Sequence, residues 1–203
     1  MRILLVDDHP IVRHGIRRLL TERIPALTVE EVGDADTALE SIRSQPWDVV
    51  VLDVTMPGTS GIDLLKIVRR ENQSLPILVL SMHAAAQFAQ RVIAAGGSGY
   101  VTKDAAPAEL VNAVEQVRRG KLYPPQAPRG GAASTALHDR LSDREYQVLR
   151  LLGSGLTVSE IAAELGLSVK TVSTYRTRVL EKLEMQTNAQ LMRYAIENSL
   201  VDS

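Results

Sequence analysis

Three carboxylates, a hydroxyl and an ammonium stand at the ends of four short apolar runs in the first half of the chain. Asp53 ends the run Asp48-Val49-Val50-Val51-Leu52-Asp53 and is followed by Val54-Thr55-Met56-Pro57-Gly58. Arg2-Ile3-Leu4-Leu5-Val6 leads into Asp7-Asp8, the run over 75–80 leads into Ser81, and that over 98–102 leads into Lys103. Short β-branched runs stopped by turn residues read as buried parallel strands. Open α/β sheets carry their chemistry outside the carboxyl ends of such strands. Asp7, Asp8 and Asp53 brought together there repel one another unless a cation fills the gap, and carboxylates with a carbonyl and water suit Mg²⁺. Lys103 adds a second positive charge. A metal and an ammonium beside one carboxylate favour an incoming phosphoryl group. That carboxylate can attack as a nucleophile and form an acyl phosphate, with Ser81 donating a hydrogen bond to a phosphoryl oxygen. One strand-end Asp could equally cap the helix behind it; it is the convergence of five residues that argues for a site.

The elements that must position these groups follow from periodicity. Strands are predicted over 2–7, 27–33, 48–53, 75–81 and 98–102, alternating with helices near 11–23, 35–45, 60–71, 84–96 and 107–119. Pro107 suits a first helical turn and Gly120 a helix end. Five βα units predict an α/β domain over 1–120, a five-stranded doubly wound parallel sheet with helices on both faces. Residues 121–138 are rich in Pro, Gly and small residues and read as a flexible linker. From 139 to 203 the pattern is all-α. Ser142-x-x-Glu145 and Thr157-x-x-Glu160 fit capping boxes, Ser168 caps a third helix, and a fourth begins near Thr187-Asn188. Glu160-Ile161-Ala162-Ala163-Glu164-Leu165-Gly166-Leu167-Ser168 reads as helix, glycine turn and cap, a helix-turn-helix arrangement. In the helix after it, Val172, Val179, Leu180 and Leu183 share an inward stripe. Lys170, Ser173, Thr174, Thr177 and Arg178 lie opposite. Small polar side chains can enter a major groove while Lys and Arg reach phosphates, although a merely solvated helix face has the same composition.

Bulk properties exclude more than they assign. Among 203 residues no stretch reaches the roughly 18–20 apolar residues that span a membrane, and the amino terminus meets Asp7-Asp8 too soon for a signal peptide. With no cysteine, disulfides and thiolate metal sites are ruled out. A cytoplasmic location is expected. The net charge of −1 neither favours nor opposes nucleic acid, so any DNA-binding case rests on local pattern.

Val6-Asp7-Asp8-His9, Leu52-Asp53-Val54-Thr55-Met56-Pro57-Gly58, Leu80-Ser81-Met82-His83 and Gly99-Tyr100-Val101-Thr102-Lys103 together resemble the receiver domain of two-component response regulators, which has a flavodoxin-like fold. The stretch from Leu141-Ser142-Asp143-Arg144-Glu145 through Leu165-Gly166-Leu167-Ser168-Val169-Lys170-Thr171-Val172-Ser173-Thr174-Tyr175 to Lys182-Leu183 resembles a LuxR-type DNA-binding domain. The combination is similar to the NarL/FixJ class. The resemblance implies a regulator rather than an enzyme. Asp53 matches the phosphoacceptor, Asp8 a direct Mg²⁺ ligand, Asp7 a ligand through water, and Thr55 a carbonyl ligand. Ser81 matches the switch hydroxyl, Tyr100 the aromatic that reorients with it, and Lys103 the phosphate-pairing lysine. The side chains of Thr55 and His83 overhang the phosphoryl group. A sensor histidine kinase is the implied partner. Operator DNA with two half-sites is the implied target, read by Ser173, Thr174 and Thr177, with Lys170, Tyr175, Arg176, Arg178 and Lys182 on the backbone. The resemblance also implies a homodimer on activation through the last helix, near 188–199. There Leu191, Tyr194 and Ala195 form a stripe that could instead close the small core. Two rival readings remain. An aspartyl-phosphate phosphatase or phosphotransferase resembling haloacid dehalogenases needs a second Asp where Thr55 stands. A phosphate-independent DNA-binding protein would not need the acidic set.

Overall fold

A computed structural model describes residues 1–54, 56, 59–81, 86–103, 105, 107–124, 137–198 and 200–201. Thr55 and His83, and residues 125–136 of the expected linker, lie outside them. The chain divides into two compact units, Met1–Gly131 and Ala132–Ser203.

The first unit is a parallel sheet in the order β2-β1-β3-β4-β5. Its strands are β1 (Arg2–Val6), β2 (Thr28–Val32), β3 (Val49–Asp53), β4 (Ile77–Ser81) and β5 (Gly99–Thr102), joined by α1 (Pro10–Arg23), α2 (Ala35–Ser44), α3 (Gly61–Glu71) and α4 (Ala86–Ala94), with α5 (Pro107–Arg118) last. Every residue of the central strands β3 and β4 is buried, which is why they read as unbroken apolar runs rather than alternating ones. β4 begins at Ile77, two residues later than periodicity suggests. Pro76 has no N–H for the ladder, although its carbonyl accepts from Val50 N–H at 2.8 Å. Ile3, Leu5, Val49, Val51, Leu78 and Leu80 form one core with Leu20 of α1 and Leu110, Val114 and Val117 of α5. Ile62, Leu65 and Val68 of α3 are also buried. Pro10 opens α1, Asp34 caps α2 through Thr37 N–H, and Ser60 caps α3 through Asp63 N–H. Residues 121–124, inside the expected linker, continue the domain: Tyr100 N–H donates to Tyr123 O at 2.9 Å and Tyr123 N–H to Ser98 O at 3.1 Å.

The second unit is a 3₁₀ turn, Leu137–Arg140, followed by α6 (Asp143–Gly153), α7 (Val158–Glu164), α8 (Val169–Lys182) and α9 (Asn188–Glu197). Complete capping boxes stand at Ser142/Glu145 and Thr157/Glu160, and a third occurs at Thr187/Gln190. Between α7 and α8, Gly166 takes φ +61°, a left-handed value that glycine adopts without steric cost, and Ser168 caps α8 through Thr171 N–H. The two helices therefore meet in the expected helix-turn-helix. Tyr146, Ile161, Val172, Val179, Leu183 and Leu191 are buried at its core. A Cβ at Gly153 would lie 2.6 Å from the Cβ of Ala195, so α6 and α9 approach as closely as backbones allow. Of the two readings of the α9 stripe, dimer contact or core closure, the packing favours the core. Leu191 and Ala195 are fully buried, and the Tyr194 hydroxyl lies 2.9 Å from Nδ1 of buried His138. The stripe closes the core; the exposed apolar residues of α9 are Met192 and Ile196.

Glu145 ties three elements together. Its carboxylate accepts from Ser142 N–H at 2.7 Å and from the Lys182 ammonium of α8 at 2.6 Å. Burial opposes its charged form, but Lys182 and Ser142 outweigh burial and hold the carboxyl below its ordinary value.

Two predictions follow from this packing. A Cβ at Gly61 would lie 2.1 Å from the carbonyl oxygen of Asp53, a clash with backbone that no rotamer relieves. Gly61→Ala is expected to cost about 1–3 kcal/mol and to shift the backbone NMR resonances of 53–61; an unperturbed spectrum would refute the contact. Glu145→Gln is expected to cost roughly 1–3 kcal/mol, read in the full chain as faster amide exchange in α6 and α8. Because the folded-state value is depressed, that stabilisation is present above the unfolded value of about 4.3 and is lost as pH falls through the lower folded value. The two proteins should therefore converge in acid.

Candidate metal centre and nucleic-acid interface

The crevice lies where the sheet changes direction. β1 and β3 are neighbours whose crossover helices leave to opposite sides, the switch point where open α/β sheets bind ligands. Val6 pairs with Leu52, so Asp7 follows β1 directly beside Asp53 at the end of β3. Asp53 pairs with Leu80 and Ser81 with Thr102, which brings β4 and Lys103 to the same edge. Lys103 N–H donates to Ser81 O at 2.7 Å. The structure thus gathers Asp7, Asp8, Asp53, Ser81 and Lys103, each at a strand end or within two residues beyond it. Tyr100, on β5, is buried. The Thr55 carbonyl lies outside the described residues.

Asp7, Asp53 and Ser81 are essentially inaccessible to solvent. The Lys103 ammonium bridges two of them, 2.6 Å from Asp7 Oδ2 and 2.8 Å from Asp53 Oδ2. Burial disfavours its charge, yet Asp53 and Asp7 outweigh burial and raise its pKa above the ordinary lysine value. One ammonium cannot balance three carboxylates. One ligand atom each from Asp7, Asp8, His9 and Asp53 lies within 4.8 Å of the others, a hard, oxygen-rich donor set of the kind that Mg²⁺ takes. The donors present fit such an ion.

Three contributors were not singled out from sequence. His9 donates its N–H to Asp7 Oδ1 at 2.7 Å, and its Nδ1 lies 2.9 Å from Asp8 Oδ1. Arg13 of α1 donates to the Asp7 carbonyl, with Nε 3.6 Å from Glu31, fixing the acidic turn from behind. Gly61 lets α3 start against the Asp53 carbonyl. His9 and Arg13 sit within a turn and a half of Asp7-Asp8, a signal that proximity could have supplied. Gly61 had none, since its partner is eight residues away across a loop.

In the helical unit, Lys170, Thr174, Thr177 and Arg178 are exposed on α8, and Ser173 and Tyr175 are partly so. Two of the expected backbone contacts are otherwise engaged. Lys182 pairs with Glu145, and Arg176 Nε donates to Asn188 Oδ1 at 2.5 Å, joining α8 to the start of α9. The hydroxyls of Thr174 and Thr177 donate to the carbonyls of Lys170 and Ser173, at 3.0 and 3.1 Å.

Comparison with known proteins finds a family match for each unit. Residues 3–115 match the response regulator receiver domain, and residues 139–195 match the luxR family of bacterial regulatory proteins. Among curated relatives, the response regulator UvrY of Escherichia coli (strain K12) is 33% identical across 100% of this chain and 97% of its own length. The response regulator GacA of Pseudomonas viridiflava is 36% identical across 100% and 99%. Among solved structures, RcsB of Salmonella enterica serovar Typhimurium, bound to promoter rprA with the phosphomimetic BeF3−, superposes with a TM-score of 0.65 at 33% identity, over 96% of this chain and 98% of that one. The chain belongs to the NarL/FixJ family of response regulators, in which a receiver domain is followed by a LuxR-type helix-turn-helix domain.

Proposed function

We propose that the protein is a phosphorylation-dependent DNA-binding transcription regulator whose phosphoacceptor is Asp53. The observation that carries this reading is the buried Asp53 carboxylate, held at a strand end against the Lys103 ammonium and within an acidic set suited to a divalent cation. The domain limits that fit this packing are 1–124 for the receiver, 125–136 for the linker and 137–203 for the DNA-binding unit. A sensor histidine kinase is the donor. An Asp53 oxygen forms the new P–O bond as the donor's P–N bond breaks, and the nitrogen keeps that electron pair. Asp7, Asp8 and Asp53, with the Thr55 carbonyl, are the residues that would hold Mg²⁺. When bound, the ion neutralises phosphoryl charge and orients the oxygens in line.

Lys103 bridges Asp7 and Asp53, so its part is an exchange of partners. Its ammonium leaves the Asp53 carboxylate for a phosphoryl oxygen, and Ser81 donates to another. A full switch from 1:99 to 99:1 needs about 5.5 kcal/mol of differential stabilisation. A few charge-assisted hydrogen bonds of roughly 1.5–3 kcal/mol each are of that order. Tyr100 follows Ser81, and the surface of β4, α4, β5 and α5 changes with them. The role is regulatory, not enzymatic, and the location is the cytoplasm; no helix among the described residues is long and apolar enough to cross a membrane.

DNA binding is assigned to α8, with Lys170 and Arg178 on phosphates and Ser173, Thr174 and Thr177 facing bases. Lys182 and Arg176 support α8 from within the domain. The active form is a homodimer on two half-sites. Since Leu191, Tyr194 and Ala195 serve the core, the face of α9 left for a second copy carries Met192 and Ile196.

Incubation with Mg²⁺ and acetyl phosphate should add one phosphoryl group, read by intact mass, and Asp53→Asn should abolish the addition. An Asp53→Asn protein labelled at the wild-type level would end this reading. On α9, replacing Met192 and Ile196 together with Asp is expected to weaken binding to a two-half-site duplex by roughly tenfold or more, and to leave binding to a single half-site unchanged. Equal losses on both duplexes would move the dimer contact elsewhere.

A further inference from the structure

We propose that α8 recognises thymine through the C5-methyl groups that line the major groove, using the Cγ2 methyls of Thr174 and Thr177 and the isopropyl group of Val169. This rests on the DNA-binding reading of α8 and adds the chemistry by which it discriminates. The hydroxyls of both threonines are bonded to carbonyls one turn back, Thr174 to Lys170 and Thr177 to Ser173. A threonine Cβ carries one hydroxyl and one methyl. With the oxygen drawn back along the helix, the branch left uncommitted is the methyl. Turning the hydroxyl to a base would break the bond to the carbonyl and exchange the two branches. Both residues are exposed, and both stand among the outward residues of α8, opposite the buried Val172 and Val179.

Val169 strengthens the case from a separate observation. It opens α8 directly after the Ser168 cap and is 51% exposed; among the described residues only Ile11 and Ile196 are large apolar side chains more exposed than it. It lies four and eight residues before Ser173 and Thr177, which at 3.6 residues per turn puts the three on one ridge of the helix. The major-groove edge of an A·T pair offers one apolar group, the thymine C5-methyl, and a G·C pair offers none. Three small apolar groups flanked by Lys170 and Arg178 therefore match a thymine-bearing groove edge between phosphates. Hydroxyl donors reading base acceptors would need the opposite arrangement.

The test uses the full-length protein treated with Mg²⁺ and beryllofluoride. Duplexes recovered by it from a random-sequence pool are resynthesised with deoxyuridine in place of thymidine, which removes only the C5-methyl. The wild type is expected to bind the thymidine duplexes about fourfold more tightly for each methyl contacted, the equivalent of burying one methylene-sized group. Thr174→Val and Thr177→Val keep a methyl and lose the hydroxyl, and should retain that ratio. Thr174→Ser and Thr177→Ser keep the hydroxyl and lose the methyl, and should bring it towards one. Circular dichroism confirms that all four variants fold. The inference is overturned if the wild type does not distinguish thymidine from deoxyuridine, if the Ser variants keep the ratio while the Val variants lose it, or if the recovered duplexes share no thymine. In each of those cases Arg178→Ala still weakens binding, and the DNA-binding reading stands. Failure to recover any sequence, with Arg178→Ala without effect, would overturn both.

Discussion

The Lys103 ammonium, bridging the buried carboxylates of Asp7 and Asp53, is the interaction on which the first unit turns. Removing one partner from a buried charged set leaves the others uncompensated, at a cost of roughly 3–5 kcal/mol. The strand register, the α3 start and the β1–α1 turn all serve to hold this set. Val6 opposite Leu52 and Asp53 opposite Leu80 bring three strand ends level. Arg13 holds the Asp7 carbonyl, and the carbonyl of Asp53 touches Gly61. A lysine already committed to two carboxylates is also a sensitive detector. A new anion on Asp53 would compete directly for its charge, beside Ser81, whose carbonyl accepts from the Lys103 N–H.

The helical unit solves a different problem, that of folding on few residues. Three capping boxes satisfy the open N–H groups at the starts of α6, α7 and α9, each contributing about 1 kcal/mol. Glu145 then couples one of those caps to α8 through Lys182, and Arg176 couples α8 to α9. Two basic residues that charge alone would send to DNA are thus spent on setting the angle at which α8 is presented. Between the exposed Lys170 and Arg178, the outward residues Ser173, Thr174 and Thr177 are small, and the two threonine hydroxyls are internally bonded. Specificity built from methyl contact rather than from long hydrogen-bonding side chains is consistent with that economy.

Most of the architecture was legible because its signals are local. A β-branched run stopped by Asp, a Ser-x-x-Glu before an apolar period, or a Gly-x-Ser turn each depends on neighbours within a few residues. Five strands, nine α-helices and the positions of three caps in the helical unit were expected from such patterns and are observed among the described residues. The boundary at Ile77 was missed because the lost hydrogen bond of Pro76 belongs to a ladder with β3, not to its own strand. The start of the expected linker was misjudged for a similar reason: Tyr123 is held by the edge of β5, which no local pattern announces.

By itself, then, the sequence determined which residues could do chemistry and on which elements they stand: Asp7, Asp8, Asp53, Ser81 and Lys103 at strand ends, and Lys170 to Arg178 on one helix. Only the tertiary structure decided what each polar group is bonded to. Periodicity gives a residue's face but not its partner, so Leu191, Tyr194 and Ala195 read equally well as interface or core until Gly153 and His138 were seen against them. Lys182 and Arg178 look alike in sequence and both are exposed, yet Lys182 also neutralises a buried carboxylate. That difference arises because Glu145, thirty-seven residues away in the chain, is brought within 2.6 Å by the packing of α6 on α8.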